Sequence, residues 1–158
     1  KEKLYEDVIN RKLISSDTIA KSVEQHTSSM DKLFAMVDLY IEKFFERRLF
    51  QNIIFREMAM NQRTAMAEKI TVQVHKNFLL AYDIIQTGID NKEFKKVDIE
   101  LTVMSIIGIV RMYTTSGTMA CKILKVEDES EAFGKKQKDR LRKHLRQLLI
   151  NHLGIESK

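Results

Sequence analysis

A helix predicted between residues 98 and 116 constrains the fold more than any other feature of this sequence. Its apolar residues occur on nearly every side of a helix with about 3.6 residues per turn, whereas one buried stripe needs only one side. Such a helix must be covered by its own core on one side and by something else on the other. In a chain of 158 residues the simplest cover is a second copy of the same helix, so we expect a dimer. The apolar residues are Leu101, Val103, Met104, Ile106, Ile107, Ile109, Val110, Met112 and Tyr113.

The scarcity of turn residues favours an all-α fold. The sequence contains no proline and only five glycines, whereas a β-sandwich or barrel needs turn residues roughly every ten positions. The hydrophobic fraction of 44% is ordinary for a globular chain and excludes disorder. At this length one domain is expected. We therefore predict a single multi-helix bundle that spans residues 1–158.

Helical spacing of apolar residues recurs along the chain. Ser28 and Asp98 are predicted to cap helix N-termini, because their side chains accept hydrogen bonds from free backbone N–H groups. Gly88 is predicted to take the left-handed conformation that ends the long helix before it. The predicted helices are about 2–13, a weaker one ending near 26, and then about 33–44, 49–60, 64–87, 98–116 and 133–153.

Several features point to the cytoplasm. The single cysteine, Cys121, excludes an internal disulfide and favours a reducing compartment. Charged residues interrupt the first apolar positions, so no signal peptide is predicted. The longest uncharged apolar run, 101–110, has about half the length that a bilayer crossing requires. We expect a cytoplasmic protein that does not insert into a membrane.

Motifs of catalysis and metal binding are missing. No histidine follows a glutamate at the Glu-x-x-His spacing of di-metal bundles, and no phosphate-binding or nucleophile motif occurs. Cys121 lies among apolar neighbours, which favours a small buried hydrophobe over a nucleophile. The acidic residues of 127–131 lie in a predicted loop with nothing to raise their pKa for acid catalysis. We therefore predict no enzyme, no metal and no cofactor.

A basic run near the end of the chain allows a nucleic-acid-binding alternative. Lysines and arginines of 135–146 carry most of the formal net charge of +5 and could contact phosphates. The same segment contains leucines at helical spacing, including Leu141, Leu145 and Leu149. This pattern favours the solvated face of an amphipathic helix over a nucleic-acid interface.

Three stretches, 1–9 (KEKLYEDVI), 53–58 (IIFREM) and 88–110, carry a family resemblance. They resemble, in order, three parts of the C-terminal regulatory domain of TetR-family transcriptional regulators: the start of the connecting helix, the short helix ending in Arg-Glu, and the Gly-x-x-x-x-x-Phe-x-x-x-Asp turn with the dimerisation helix after it. With the order of helices, the resemblance covers essentially the whole chain. The sequence departs from the family in lacking the helix-turn-helix, which the resemblance places just upstream.

The resemblance implies an effector-binding and dimerisation domain. In this family a small molecule binds between helices and shifts the connecting helix, here 1–13, which changes the spacing of the paired DNA-binding heads. The chain would act as a homodimer and as a repressor, with operator DNA bound only through the missing N-terminal domain. The last two helices of each subunit would form a four-helix dimer bundle.

Aromatic and methionine side chains on the helices around such a cavity suit a lipophilic or aromatic effector, although each of them could simply fill the core. Arg111 must be paired, either with a carboxylate such as Glu57 or Asp83 or with an anionic ligand. Ser105 and Gly108 would allow close approach of helices. The candidate ligand-binding residues are Tyr40, Phe44, Phe55, Met58, His75, Phe78, Tyr82, Met104, Arg111 and Met112. The candidate dimer-interface residues are Val103, Ile106, Ile107, Val110, Leu141, Leu145, Leu148 and Leu149.

Two other functions stay open beside the ligand-sensing domain. One is an all-α protein–protein interaction module without a ligand cavity, which a solid core would favour. The other is a basic bundle that binds nucleic acid through 135–146, which steeply salt-dependent binding of nonspecific duplex would favour.

Overall fold

The computed structural model describes residues 13–60 and 64–154. The predicted connecting helix falls almost entirely on 1–12, outside the described residues. Within the described ranges every regular element is a helix, which confirms the all-α prediction. The helices are α1 (Ser16–Glu24), α2 (Ser29–Glu46), α3 (Arg48–Ala59), α4 (Ala65–Asp90), α5 (Ile99–Thr115), α6 (Gly117–Leu124), α7 (Glu129–Ala132) and α8 (Lys135–Leu153).

Short polar side chains begin several of these helices. The backbone N–H of Asp31 donates to Ser28 Oγ at 3.1 Å, and that of Leu101 donates to Asp98 Oδ1 at 2.9 Å. Each bond satisfies a donor that has no partner inside the helix. Both predicted N-caps are therefore confirmed. Ser116 caps α6 in the same way, which separates that helix from α5.

The prediction for Gly88 is wrong. α4 continues through Gly88 to Asp90, and the left-handed residue of the following turn is Lys92, with φ 60°. Gly88 is required for a different reason, since a Cβ atom there would lie 2.3 Å from Phe94 Cδ2. The Phe94 ring thus packs directly on the helix backbone. The backbone N–H groups of Glu93 and Phe94 both donate to the Gly88 carbonyl, at 2.8 and 3.0 Å.

Helix α2 lies at the centre of the bundle and packs against α1, α3, α4, α5 and α8. Its buried stripe contains Leu33, Val37 and Ile41, each with at most 1% of its surface exposed. Such a stripe stabilises the bundle because each fully buried aliphatic side chain contributes about 1.5–3 kcal/mol relative to exposure. A second, smaller cluster joins α3 to α4 through Phe50, Ile54, Met66 and Ile70.

Ion pairs reinforce the contact between α2 and α8. Arg142 Nε lies 3.0 Å from Asp38 Oδ1, and Lys138 Nζ lies 2.8 Å from Glu42 Oε2. Arg146 also pairs with Asp38. Part of the basic run is therefore neutralised by carboxylates of the same chain, as expected for the polar side of an amphipathic helix. In the described ranges, no helix is long and apolar enough to cross a membrane.

Candidate functional site

Several of the predicted ligand-binding residues form one continuous row. The rings of Tyr40 and Phe44, one turn apart on α2, have centroids 6.0 Å apart. Phe44 in turn lies 6.1 Å from Phe55 of α3, measured between ring centroids. Arg111 of α5 ends the row, with its guanidinium carbon 3.5 Å from the centroid of the Phe55 ring. We call these four residues the aromatic row.

Tyr40, at the far end of the aromatic row, is partly buried beside a group of hydrogen-bonded side chains on α4. Burial raises the pKa of the Tyr40 phenol well above its ordinary value, and the Asn77 side chain opposes this rise. Asn77 of α4 is itself buried and donates from Nδ2 to the Ile14 carbonyl at 2.8 Å. Gln73 Nε2 donates to Asn77 Oδ1 at 3.0 Å. This cluster joins α2 and α4 to the residues that precede α1.

Arg111 has an unusual environment for a cation. Burial lowers the pKa of its guanidinium, because the charged form loses solvation. In residues 13–60 and 64–154 no ion pair joins Arg111 to a carboxylate, so the first of the two predicted alternatives, a pair with a carboxylate such as Glu57 or Asp83, is not found there. The Phe55 ring, whose π face attracts cations, covers the guanidinium instead.

A buried amide lies one turn before Phe55. Gln51 has 5% of its surface exposed, and its Nε2 has no hydrogen-bond partner among the described residues. Residues four apart on a helix lie on the same side, so Gln51 and Phe55 are neighbours on α3. Buried polar groups without partners are uncommon and costly, which makes Gln51 a functional candidate that was not predicted from the sequence. Its only sequence signal was a polar residue within an apolar stripe.

The other predicted ligand residues are not members of the aromatic row. Met58 packs against the smaller cluster of α3 and α4. Phe78 and Tyr82 are partly buried against the main core, and exposed His75 stacks on Phe78 with ring centroids 6.4 Å apart. Met104 and Met112 are 61% and 54% exposed.

These exposures correct the prediction that Met104 and Met112 surround a central cavity. The buried stripe of α5 is occupied by Val103, Ile106 and Val110, which leaves both methionines on the outer side of the helix.

A wide groove runs over the outer surface of α5, α6 and α8. It has a volume of about 1280 Å³ and is open to solvent. Ser105 and Gly108 lie along it, and a Cβ atom added at Gly108 would meet nothing within 4 Å. The Thr102 hydroxyl and His152 Nε2 are hydrogen-bonded at 2.9 Å on the groove wall. The large apolar and aromatic residues of the groove are Leu101, Ile109, Met112, Tyr113, Ile123, Leu124 and Leu148.

Most of the residues predicted for the dimer interface do not lie in this groove but are buried inside the protomer. The predicted residues with at most 6% exposure, and therefore unavailable to a partner, are Val103, Ile106, Val110, Leu141, Leu145 and Leu149. They form the protomer's own core. Leu148 lines the groove, and Ile107 packs at the edge of the core. The better sequence signal was the small pair Ser105 and Gly108, which marks the outer face of α5.

The helix order and the central α2, which packs against both α5 and α8, define an all-α protein with the TetR-type fold. A TetR transcriptional regulator from Chloroflexus aurantiacus J-10-FL has this architecture, with a TM-score of 0.66. The alignment covers 96% of this chain and 71% of that one at 16% sequence identity. The resemblance noted in the sequence is thus confirmed at the level of fold. No protein-family model and no curated protein sequence matches the chain.

Proposed function

We propose that this chain is the effector-binding and dimerisation domain of a TetR-like transcriptional regulator. The observation that carries the proposal is the similarity of fold to a TetR regulator over 96% of the chain. The domain has no catalytic role in this proposal. It acts in the cytoplasm and regulates DNA binding by a helix-turn-helix unit that lies outside residues 1–158.

A second copy of the chain is the proposed cover of the groove. Leu101 and Ile123 are 59% and 63% exposed, which is a large apolar surface to leave in water. Ser105 and Gly108 leave room for close approach of another helix. A twofold axis through the groove would bring two copies of α5 and two of α8 together as a four-helix bundle.

The proposed effector site is the aromatic row. Aromatic rings with a few polar groups are typical of sites for small lipophilic molecules. Tilted rings at centroid separations near 6 Å provide an apolar wall across α2 and α3. His75, Phe78 and Tyr82 on α4 are proposed to contribute a second wall.

Coupling to DNA is proposed to pass through the start of the chain. The Asn77 side chain donates a hydrogen bond to the Ile14 carbonyl and also lies beside the Tyr40 phenol. A ligand bound along the aromatic row would therefore act close to Ile14, the residue that directly follows 1–13. That segment would serve as the connecting helix to the DNA-binding unit. A coupling free energy of about 1–3 kcal/mol is enough to change operator affinity severalfold or more.

Two measurements on this chain test the proposal. Sedimentation equilibrium is expected to show a dimer at micromolar concentrations, and a monomer at far higher concentrations would contradict the dimer. A thermal-shift screen with aromatic and lipophilic compounds is expected to find stabilising ligands, because a ligand that binds only the folded state raises its stability. A screen in which no such compound stabilises the protein would favour the interaction module without a ligand cavity.

A further inference from the structure

We infer that the effector is an aromatic or lipophilic acid, with its anionic group bound by Arg111 and its apolar body along Phe55, Phe44 and Tyr40. This inference rests on the proposed effector-binding function and adds the chemical class of the ligand. Three observations carry it. The Arg111 guanidinium has no carboxylate partner in the described residues, and the buried Gln51 amide, one turn before Phe55 on α3, has no hydrogen-bond partner there. The rings of Phe55, Phe44 and Tyr40 extend away from Arg111.

The stacking of Arg111 on Phe55 leaves the guanidinium suited to an anion. The ring covers one flat face, with 3.5 Å between the guanidinium carbon and the ring centroid. The N–H donors of a guanidinium lie in its plane and point outward from its edge, where stacking does not block them. A carboxylate can therefore accept two parallel hydrogen bonds from Arg111 while Phe55 holds the orientation of the cation.

The partial burial of Arg111 makes the proposed site selective for anionic ligands. A cation that has lost part of its hydration gains more from an opposite charge than an exposed one does. Burial is also the cause of the lowered pKa of Arg111. An aromatic cation placed along the same row would be repelled by Arg111, so the site discriminates between ligands of similar shape by charge.

Gln51 supplies a second donor on the same side of α3. Its Nε2 is buried without a hydrogen-bond partner in the described part of the chain. A bound carboxylate or another acceptor close to Phe55 would satisfy this amide. This hydrogen bond would contribute more binding free energy than one from an exposed amide, because the buried amide has already lost its hydrogen bonds to water.

The experiment uses two fluorescent probes with the same ring system. Anilinonaphthalene sulfonate carries an anionic group, whereas N-phenylnaphthylamine is the neutral compound without it. Fluorescence titration gives the dissociation constant of each probe for the wild-type chain, for Arg111→Gln and for Arg56→Gln. Arg56 is the matched control, because it is the exposed arginine that follows Phe55 on α3.

The wild type is expected to bind the sulfonate about tenfold or more tightly than the neutral probe, as for a charge-assisted hydrogen bond. Arg111→Gln is expected to remove that preference and leave affinity for the neutral probe within about twofold, while Arg56→Gln changes neither. Gln51→Leu is expected to weaken the sulfonate about threefold or more.

The outcomes separate the inference from the function on which it rests. Equal affinity of the wild type for both probes, or an undiminished preference in Arg111→Gln, would overturn the acid-binding inference and leave effector binding standing. Failure of the wild type to bind either probe would overturn effector binding itself. The comparison of the two probes on the wild-type chain requires no variant. It can therefore refute the inference even if a variant does not fold.

Discussion

The guanidinium of Arg111 lies on the Phe55 ring and joins α5 to α3 at the end of the aromatic row. A second contact joins the same helices nearby, where Asn52 Nδ2 donates to the Thr115 carbonyl at 3.0 Å. The two contacts hold Arg111 in place without a carboxylate among the described residues. A stacked cation held in this way contributes little to stability, so its main role is expected elsewhere.

Arg111→Met is therefore expected to change the free energy of unfolding by no more than about 1 kcal/mol, the usual worth of a partly exposed cation–π contact. Phe55→Ala is the comparison, with an expected loss of at least about 2 kcal/mol because it leaves a gap between α2 and α3. Urea denaturation followed by circular dichroism measures both. A loss of several kcal/mol in Arg111→Met would assign Arg111 a structural role instead.

Gly108→Arg is expected to give a folded monomer. Within one protomer a Cβ atom added at this position meets nothing within 4 Å, and arginine is a better helix former than glycine by up to about 1 kcal/mol. In the proposed dimer the same side chain would collide with the partner's α5. Sedimentation velocity and circular dichroism together distinguish a folded monomer from an unfolded chain.

Leu79→Arg is the control for this dimer test, since Leu79 is 43% exposed on α4 and lies outside the groove. It is expected to remain dimeric. Dimers in Gly108→Arg, or monomers in Leu79→Arg, would place the dimer contact elsewhere.

Glu93 is expected to make stability depend on acid pH. The backbone N–H of Ser29 and then its hydroxyl donate to the Glu93 carboxylate, at 2.7 and 2.9 Å, and these bonds lower the pKa of Glu93 from 4.5. A carboxyl group with a lowered folded-state pKa stabilises the fold above its unfolded-state pKa. That stabilisation is lost as pH falls through the folded-state pKa.

Glu93→Gln should therefore reduce stability at pH 7, by about 1–2 kcal/mol from the weakened hydrogen bonds. The difference from wild type should shrink as pH falls below 4.5, the ordinary pKa of the group. Denaturation midpoints at pH 7, 5 and about 3 measure this difference. A difference that stays constant over this range would show that the Glu93 charge is not responsible.

Gly88→Ala is expected to destabilise the fold by about 1–3 kcal/mol through overpacking. The new methyl group would lie 2.3 Å from Cδ2 of a Phe94 ring that is itself only 3% exposed and cannot swing away freely. Phe94→Ala alone should cost about 3–5 kcal/mol. In the double variant the methyl group no longer meets the ring, so the combined loss should be smaller than the sum by at least about 0.5 kcal/mol. An additive double variant would mean that Gly88 acts through backbone freedom instead.

The helix starts were predictable from the sequence because capping is local chemistry. Ser28 and Asp98 each accept a hydrogen bond from a residue three positions later, and both partners are visible in the sequence. The end of α4 was not predictable in this way. Whether Gly88 ends the helix or lies inside it depends on where the Phe94 ring packs, and that position is decided by the core.

The aromatic row was only partly predictable. Tyr40, Phe44 and Phe55 stood out as aromatic residues on amphipathic helices, and Arg111 as a cation in an apolar helix. Their order in space, and the stacking of Arg111 on Phe55, depend on how α3 crosses α2 and α5. Gln51 was missed because a polar residue in an apolar stripe is ordinary until its amide is found buried and unpaired.

The sequence alone determined that this chain is all-α, where most of its helices begin, and that α5 has more apolar surface than one core can bury. These properties follow from side-chain spacing and capping, which act within a few residues. Only the tertiary structure decided which side of α5 faces α2, and hence that Val103, Ile106 and Val110 are core while Leu101, Ser105 and Gly108 face outward. The physical reason is that a helix apolar on every side gains similar free energy from burying any one of them, so the packing of its neighbours makes the choice.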